Sequence, residues 1–327
     1  MNTAPAPVPS CPPGVSVVVP AYNHARFLPK ALDSALQQTH REIEVIVVDD
    51  GSTDDTAEVV AAFTRRDPRV RYVHQKNAGL PAARNAGISR ARHEFIGFLD
   101  ADDLWLPGFL RHAMEAFAHL PPEFAIVACR AIYIDGEGQR LIASQRDAEL
   151  PGEITCRDII LKTRFSPSAV VARKAALTES GCFDVTLRSS EDRDMWIRIA
   201  ARHRVHLLRD PLALIRRHPG NMSKHADRMK ANVRTVINKA HRARLVSHAD
   251  WFFWLRVLSF HYFQNAWRYR DEGRHGKALC EMLLSLSLWP CFARPARLNA
   301  PPMFRARGLA RFAVELLAKQ ARHRDAS

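Results

Sequence analysis

The strongest constraint on the fold is a repeated alternation of apolar and amphipathic segments in the first hundred residues. Short apolar, β-branched runs occur at residues 15–20, 43–48, 70–74 and 95–99, and the stretches between them carry apolar residues at helical spacing. Runs of this kind predict buried strands. Because strands and helices alternate, we expect an α/β domain with a mostly parallel sheet flanked by helices.

Polar residues follow three of these predicted strands at the points where the strands end. They occupy residues 21–23, 49–50 and 100–103. In open parallel sheets, ligands bind beyond the carboxyl ends of the strands. The sequence therefore predicts a binding site where these three clusters meet.

The second half of the chain has a different pattern. Apolar runs at 124–130 and 169–171, with a hairpin-like turn at 135–138, predict further strands and a mixed sheet. A helix is expected at 190–202, and the sequence beyond about residue 225 is helical in pattern and rich in Arg, Trp and Leu. We expect a domain at residues 14–225 and a basic helical region at 226–327.

The N-terminus and the cysteines indicate where the protein works. Residues 1–14 hold five prolines and no basic residue, so residues 1–13 are expected to form a disordered leader and not a signal peptide. No apolar stretch reaches the roughly 20 residues that a spanning helix needs. None of the six cysteines forms a CxxC pair, which favours reduced thiols and a cytoplasmic location.

The net charge of +14 is unevenly distributed. The first 200 residues hold 23 Lys and Arg against 26 Asp and Glu, whereas residues 201–327 hold 25 against 8, a net charge of +17. This asymmetry indicates an anionic partner for the C-terminal region, such as a membrane surface, a nucleic acid or a phosphorylated acceptor.

Three acidic residues are the candidates for chemistry. Asp100 and Asp102 directly follow a predicted strand, where a carboxylate pair can hold Mg²⁺ or Mn²⁺ against a diphosphate, although such a tripeptide alone is often a solvated loop. Asp192 shares a helix face with Met195 and Trp196, which suits a general base. A carboxylate favoured by the helix dipole is the alternative explanation.

Two further segments allow more than one interpretation. Asp50 could accept a hydrogen bond from a nucleobase N–H, or it could belong to a strand end followed by a capped helix. Arg84 lies in a segment whose glycines permit close backbone approach. It could pair with a phosphate or a carboxylate, or it could be a surface arginine on an alanine-rich packing helix.

Taken in chain order, these segments resemble the family-2 glycosyltransferases, which have an A-type, Rossmann-like fold. The resemblance covers roughly residues 14–225. It implies an inverting enzyme that uses divalent Mn or Mg to transfer a sugar from a nucleotide-sugar to a glycan or lipid-linked acceptor. UDP is favoured by family frequency alone. The matching segments are residues 17–23, 47–54, 77–87, 100–103, 181–184 and 191–198.

The resemblance also implies roles for individual residues. Asp192 would be the catalytic base, Asp102 the more direct metal ligand, and His218 a further contact with the metal or diphosphate. Cys182 departs from the family, which usually shows another residue before Phe183 and Asp184. The nucleotide-sugar would be bound by Pro20, Ala21, Tyr22, Asn23, Asp50, Asn77, Gly79, Arg84, Asp100, Ala101 and Glu191.

The sequence is less consistent with three other functions. A nucleotide-sugar binding protein without catalysis is disfavoured because Asp102 and Asp192 are both present. A nucleic-acid binder has only the basic charge in its favour, so no nucleic acid is expected, and a nucleotidyltransferase would need a glycine-rich loop after the first strand. The C-terminal helices are expected to pack on the catalytic domain, to contact an anionic membrane, or to do both. The expected setting is bacterial surface-polysaccharide assembly, at the inner face of the cell membrane.

Overall fold

The computed structural model describes residues 13–141, 152–218, 220–221, 225–289 and 306–315. Its first half has the predicted alternation of strands and helices. The apolar runs at residues 15–20 and 43–48 form strands in which every residue is buried. The elements are β1 (Val15–Ala21), α1 (Leu28–Leu36), β2 (Ile43–Asp49), α2 (Thr56–Arg66), β3 (Val70–His74), α3 (Leu80–Arg90) and β4 (Phe95–Phe98).

The second half adds shorter elements and the C-terminal helices. Residues 306–315 form a further helical segment. The elements are β5 (Leu104–Trp105), α4 (Phe109–His119), β6 (Phe124–Ile134), β7 (Glu153–Ile154), α5 (Cys156–Leu161), a 3₁₀ turn (Pro167–Ala169), β8 (Val170–Arg173), α6 (Lys174–Glu179), α7 (Glu191–Ala200), β9 (Arg204–Arg216), α8 (Ala226–Arg242), α9 (Trp251–Asp271) and α10 (His275–Leu288).

One mixed sheet runs through the described part of the chain. Its strand order is β3-β2-β1-β4-β8-β6-β9-β5, with β7 added beside β9. Strands β1 to β4 are parallel, whereas β8 runs antiparallel to both β4 and β6. Ala21 pairs with Asp49 and Asp49 with His74, so the carboxyl ends of the first three strands lie level at one edge. The predicted mixed α/β architecture is confirmed.

Strand β9 was not predicted from the sequence. Its 13 residues include Pro211 and several charged residues, which interrupt the apolar pattern. The structure accommodates the proline at an irregularity opposite Arg130, where the register with β6 shifts. Because β9 is parallel to β6 and ends at Arg216, it delivers the following residues, including His218, to the same edge of the sheet.

The C-terminal helices pack on the α/β domain. Val233 and Val236 of α8, with Val257 and Phe260 of α9, belong to the apolar core that the sheet forms. None of the described helices combines the length and apolarity needed to cross a bilayer. Residues 1–12 of the expected leader, and Cys11 and Cys291, lie outside the described residues. The other four cysteines are free thiols.

Candidate active site

A cleft of about 620 Å³ lies at the carboxyl edge of the sheet. The residues after β1, β2 and β4, the start of α3 and the end of β9 line it. The structure therefore brings together clusters that lie far apart in the sequence. Eleven predicted site residues line this cleft: Pro20, Ala21, Tyr22, Asn23, Asp50, Asn77, Gly79, Asp100, Ala101, Asp102 and His218.

Asp50 organises the loop that forms one wall of the cleft. Its Oδ1 accepts hydrogen bonds from Gln75 Nε2 at 2.7 Å and from the Ala78 N–H at 2.9 Å. Its Oδ2 accepts from the Gly79 N–H at 2.8 Å, and only 3% of the residue is exposed. A carboxylate offers about four acceptor positions, so capacity remains for a ligand N–H.

Asn23 joins the loops that follow β1 and β2. Its backbone is left-handed, with φ of 55°, a conformation that Asn tolerates better than most residues. Its Oδ1 accepts from the Thr53 N–H at 2.8 Å, and its own N–H donates to Ser52 Oγ at 3.0 Å. These contacts explain why Asn stands here, and they hold together two loops that border the cleft.

Asp102 lies in a cluster that could hold a metal ion. Ligand atoms of His24, Asp102 and His218 all lie within 4.8 Å of one another, and His218 Nε2 is 3.0 Å from Asp102 Oδ2. His24 Nδ1 is 2.8 Å from the Tyr22 carbonyl oxygen, so donation there leaves Nε2 available for a ligand. One carboxylate and two imidazoles suit Mn²⁺ better than Mg²⁺, which prefers oxygen.

Sequence reasoning missed His24. It directly follows Asn23 in the first polar cluster, so its position after β1 was an available signal. The contact with His218 could not be predicted, because that residue lies 194 positions later in the numbering and reaches the edge through β9.

A buried carboxylate fixes the turn that carries Asp102. Asp103 accepts hydrogen bonds from Ser168 Oγ at 2.6 Å and from the Arg216 N–H at 2.8 Å. Arg216 Nε in turn donates to the Asp102 carbonyl at 2.8 Å. Burial, with the charges of Asp102 and Asp100, raises the pKa of Asp103 well above its usual range. The end of β9 thereby holds the turn that carries Asp102 in place.

Arg84 and Glu191 lie outside this first cleft. Arg84 is 1% exposed and donates to Asp100 Oδ1 at 2.7 Å and to Glu191 Oε1 at 2.6 Å. Although burial disfavours its charge, Asp100 and Glu191 raise the pKa of Arg84. The sequence left phosphate and carboxylate open as partners of Arg84, and the structure places it between two carboxylates.

Asp192 lines a second cleft, of about 390 Å³, beside the first. It stands in the first turn of α7, and its Oδ1 accepts from the Arg193 N–H at 2.7 Å. Burial, together with the nearby charge of Glu191, raises the pKa of Asp192 to about 7. Asp100, Ser166 and Asn221 line both clefts, so the cleft that Asp192 lines adjoins the one around Asp102.

The segment containing Cys182 forms hydrogen bonds with residues of both α3 and α7. Gly181 and Cys182 both have left-handed backbones, with φ of 81° and 57°. The turn exposes the Phe183 backbone to Asn85, whose side chain donates to its carbonyl and accepts from its N–H, both at 2.8 Å. Cysteine is accommodated there because the backbone of the turn makes the contacts.

The mixed sheet and the cleft at its carboxyl edge define an A-type glycosyltransferase fold, and solved structures share this fold. The mannosyltransferase PcManGT from Pyrobaculum calidifontis, in complex with GDP-Man and Mn²⁺, superposes with a TM-score of 0.60 at 20% identity, covering 97% of this chain and 84% of that one. S. aureus TarS 1–349 in complex with UDP superposes with a TM-score of 0.56 at 20% identity, covering 86% and 93%.

The sequence comparison gives the family. Residues 16–177 match the model of Glycosyl transferase family 2, and this part of the chain belongs to that family. An uncharacterized glycosyltransferase of Rickettsia bellii is 35% identical over 191 residues, which is 58% of this chain and 26% of the relative. One from Rickettsia felis is 33% identical over 204 residues, 62% of this chain. The matched part spans a third or less of these relatives.

Proposed function

We propose that the protein is an inverting, metal-dependent glycosyltransferase that moves a sugar from a nucleotide-sugar, a UDP-sugar by family frequency, to a glycan or lipid-linked acceptor. The observation that carries the proposal is the adjacency of two clefts. One holds the cluster of Asp102, His24 and His218, and the other holds Asp192, with Asp100 shared between them.

The charge of the first cleft supports a role for a metal ion. Three carboxylates line it, those of Asp50, Asp100 and Asp102, whereas the raised pKa of Asp103 favours its neutral acid; the arginines that line it are Arg216 and Arg217. A diphosphate would be repelled by this acidic lining unless a divalent cation lay between them. Asp102 and His218, with His24, would hold such a cation, which when bound neutralises the charge of the departing diphosphate.

The remaining residues of the first cleft would position the nucleotide. Asp50 and the loop through Asn77 and Gly79 offer a carboxylate and backbone groups to the nucleobase and ribose. Tyr22, which is 47% exposed, could stack on the base. Arg84 and Glu191 would act indirectly, by holding the Asp100 carboxylate toward both clefts.

Asp192 would act as the general base. It would take the proton of the acceptor hydroxyl as the acceptor oxygen attacks the anomeric carbon and the bond to the diphosphate breaks on the opposite side. A pKa of about 7 suits this role because the group is then both basic and substantially ionised near neutral pH.

We further propose that the enzyme works at the inner face of a bacterial cell membrane, in surface-polysaccharide assembly. Trp251 and Phe252 stack with ring centroids 3.8 Å apart and are 55% and 54% exposed. Aromatic side chains on a basic helical region suit an anionic interface. Trp251→Ala with Phe252→Ala is expected to reduce sedimentation with liposomes that contain anionic lipid. Equal sedimentation of wild type with neutral liposomes would contradict the charge argument.

A thermal-shift experiment tests the donor site. UDP with Mn²⁺ is expected to raise the melting temperature more than GDP, CMP or single-stranded DNA, and Asp102→Asn should lose most of the Mn²⁺-dependent rise. Asp271→Asn, an exposed carboxylate at the end of α9, is the matched control. Stabilisation by DNA alone would overturn the proposal. A screen of nucleotide-sugars for turnover then identifies the donor, and binding without any turnover would indicate a catalytically inactive binding protein.

A further inference from the structure

The second cleft has a charge opposite to that of the first. Seven cationic side chains and three carboxylates are among the described residues that line it. Two of the carboxylates, Asp100 and Glu191, are already paired with Arg84. The other cations that line it are Arg130, Lys162, Arg164, Arg193, Arg217 and Arg268.

These cations come from separate parts of the fold. Arg130 belongs to β6, Arg193 to α7 and Arg268 to α9, while Lys162 and Arg164 follow α5. Their side chains converge on the cleft that Asp192 lines. Because the cations come from several elements, this cluster differs from the charged face of a single helix. A charged helix face needs no ligand, since it is simply solvated.

Arg130 and Arg268 have no carboxylate partner within the described part of the chain. Arg268 donates to Asn265 Oδ1 at 3.1 Å, and Arg130 reaches the Arg209 carbonyl at 3.4 Å. Arg130 Nε is buried and has no hydrogen-bond partner among the described residues. A buried donor left in this way costs free energy unless a ligand supplies the acceptor.

A second buried arginine, Arg193, lies near Arg268. Arg193 is 3% exposed and donates to the carbonyls of Ile159, at 3.2 Å, and Ile160, at 2.6 Å. Burial and the nearby charge of Arg268 lower the pKa of Arg193 to about 10. Burial lowers the pKa of Arg268 as well. Burial therefore disfavours the charges of Arg193 and Arg268, and an anion in the cleft would stabilise them.

We propose that the acceptor carries an oxyanion, a phosphate or a carboxylate, and that Arg130 and Arg268 bind it while Asp192 faces the acceptor hydroxyl. This inference rests on the proposed function, because it assigns the second cleft to the acceptor. It also explains the division of charge between the clefts. The donor diphosphate needs a cation in the acidic first cleft, whereas an anionic acceptor is bound directly by arginine, whose planar fork matches both phosphate and carboxylate.

The test uses small probes with the first cleft saturated by UDP and Mn²⁺. Glycerol phosphate and glucuronate are compared with their neutral counterparts, glycerol and glucose, at matched ionic strength. In wild type, at least one charged probe is expected to raise the melting temperature in a concentration-dependent way while its neutral counterpart does not. Glycerol phosphate acting alone would assign a phosphate-bearing acceptor, and glucuronate acting alone a carboxylate-bearing one.

Variants locate the binding site. Arg130→Gln with Arg268→Gln is expected to remove at least about half of the probe-dependent rise, whereas Arg111→Gln, an exposed arginine paired with Glu115 on α4, should keep it. Without probe, the double variant should melt no lower than wild type, because two cations without carboxylate partners have been removed. A merely structural role for these arginines would lower the melting temperature and leave the probe effect intact.

The outcomes separate this inference from the proposed function. If UDP and Mn²⁺ stabilise the protein but neither charged probe exceeds its neutral counterpart, the anionic acceptor is ruled out and the donor site stands. If the charged probes bind while none of UDP, GDP and CMP stabilises the protein with Mn²⁺, the anion site stands and the glycosyltransferase assignment falls. An equal probe effect in wild type and the double variant would overturn the assignment to Arg130 and Arg268.

Discussion

The two clefts differ in charge and in how the sequence builds them. The first is acidic and is formed mainly by residues directly after β1, β2 and β4. The second is basic and draws residues from β6, the loop after α5, α7, β9, α8 and α9. The first cleft is therefore encoded in short segments at strand ends, whereas the second cleft depends on contacts between distant parts of the chain.

This difference has a functional consequence. Strand-end segments keep their positions as long as the sheet keeps its register, so the first cleft can be preserved while the second changes. The helices α8 and α9 contribute Met229, Val233, Gln264 and Arg268 to the second cleft. The C-terminal region thus helps to shape the space assigned to the acceptor, besides packing on the core.

The largest expected effect separates catalysis from donor binding. Asp192→Asn removes the proposed base while nearly keeping the side-chain volume, and the transfer rate is expected to fall about 10²–10⁴-fold. The increase in melting temperature with UDP and Mn²⁺ should match wild type, because Asp192 does not line the first cleft. Single-turnover kinetics measure the rate. A wild-type rate would exclude Asp192 as the base, and an equal loss of UDP binding would show that the clefts are not independent.

The pH dependence of kcat/KM should be set by a group in the second cleft, Asp192. Because Asp192 acts when ionised and its pKa is raised to about 7, kcat/KM is expected to fall about tenfold per pH unit below that value and to level off above it. UDP affinity is measured over the same range with saturating Mn²⁺. If UDP affinity fell in parallel with the rate, the titrating group would belong to the first cleft instead.

The same contrast explains what could be predicted from sequence. The strands β1 to β4 and their polar ends were predictable, because apolar runs and the residues that follow them are local signals. His24 was missed although it stands beside Asn23, because its partner His218 is brought near by β9. That strand was hidden by Pro211, which the register irregularity opposite Arg130 accommodates.

The second cleft was less predictable for a related reason. The helical spacing around Asp192 identified an inward carboxylate, but the spacing carries no information about Arg130 or Arg268. Those side chains line one cleft only because β6 and α9, which are far apart in the sequence, both border it. The net charge of residues 201–327 indicated an anionic partner, and the structure adds that two arginines of this region, Arg217 and Arg268, line the second cleft.

The smallest expected effect tests whether Asp50 contributes to UDP binding separately from its neighbour Asp49. Asp50→Asn places an amide donor among the three donors of Gln75, Ala78 and Gly79, so unfolding free energy should fall by about 1–3 kcal/mol. UDP affinity should fall about tenfold, which corresponds to about 1.4 kcal/mol. Denaturant titration and calorimetry measure the two quantities.

Asp49→Asn is the matched control for this prediction, because it removes the same charge one residue away. Asp49 is also buried, but it does not line the cleft, and it accepts hydrogen bonds from the Ser52 N–H at 2.8 Å and from the Tyr72 hydroxyl at 2.6 Å. The Asp49→Asn variant should keep UDP affinity, because Asp49 does not line the cleft. Its free energy of unfolding should fall, because an amide can pair with both groups only if the tyrosine hydroxyl turns to accept a hydrogen bond. Equal losses of UDP affinity in the two variants would mean that the edge of β2 responds as one unit and that Asp50 has no separate role in the donor site.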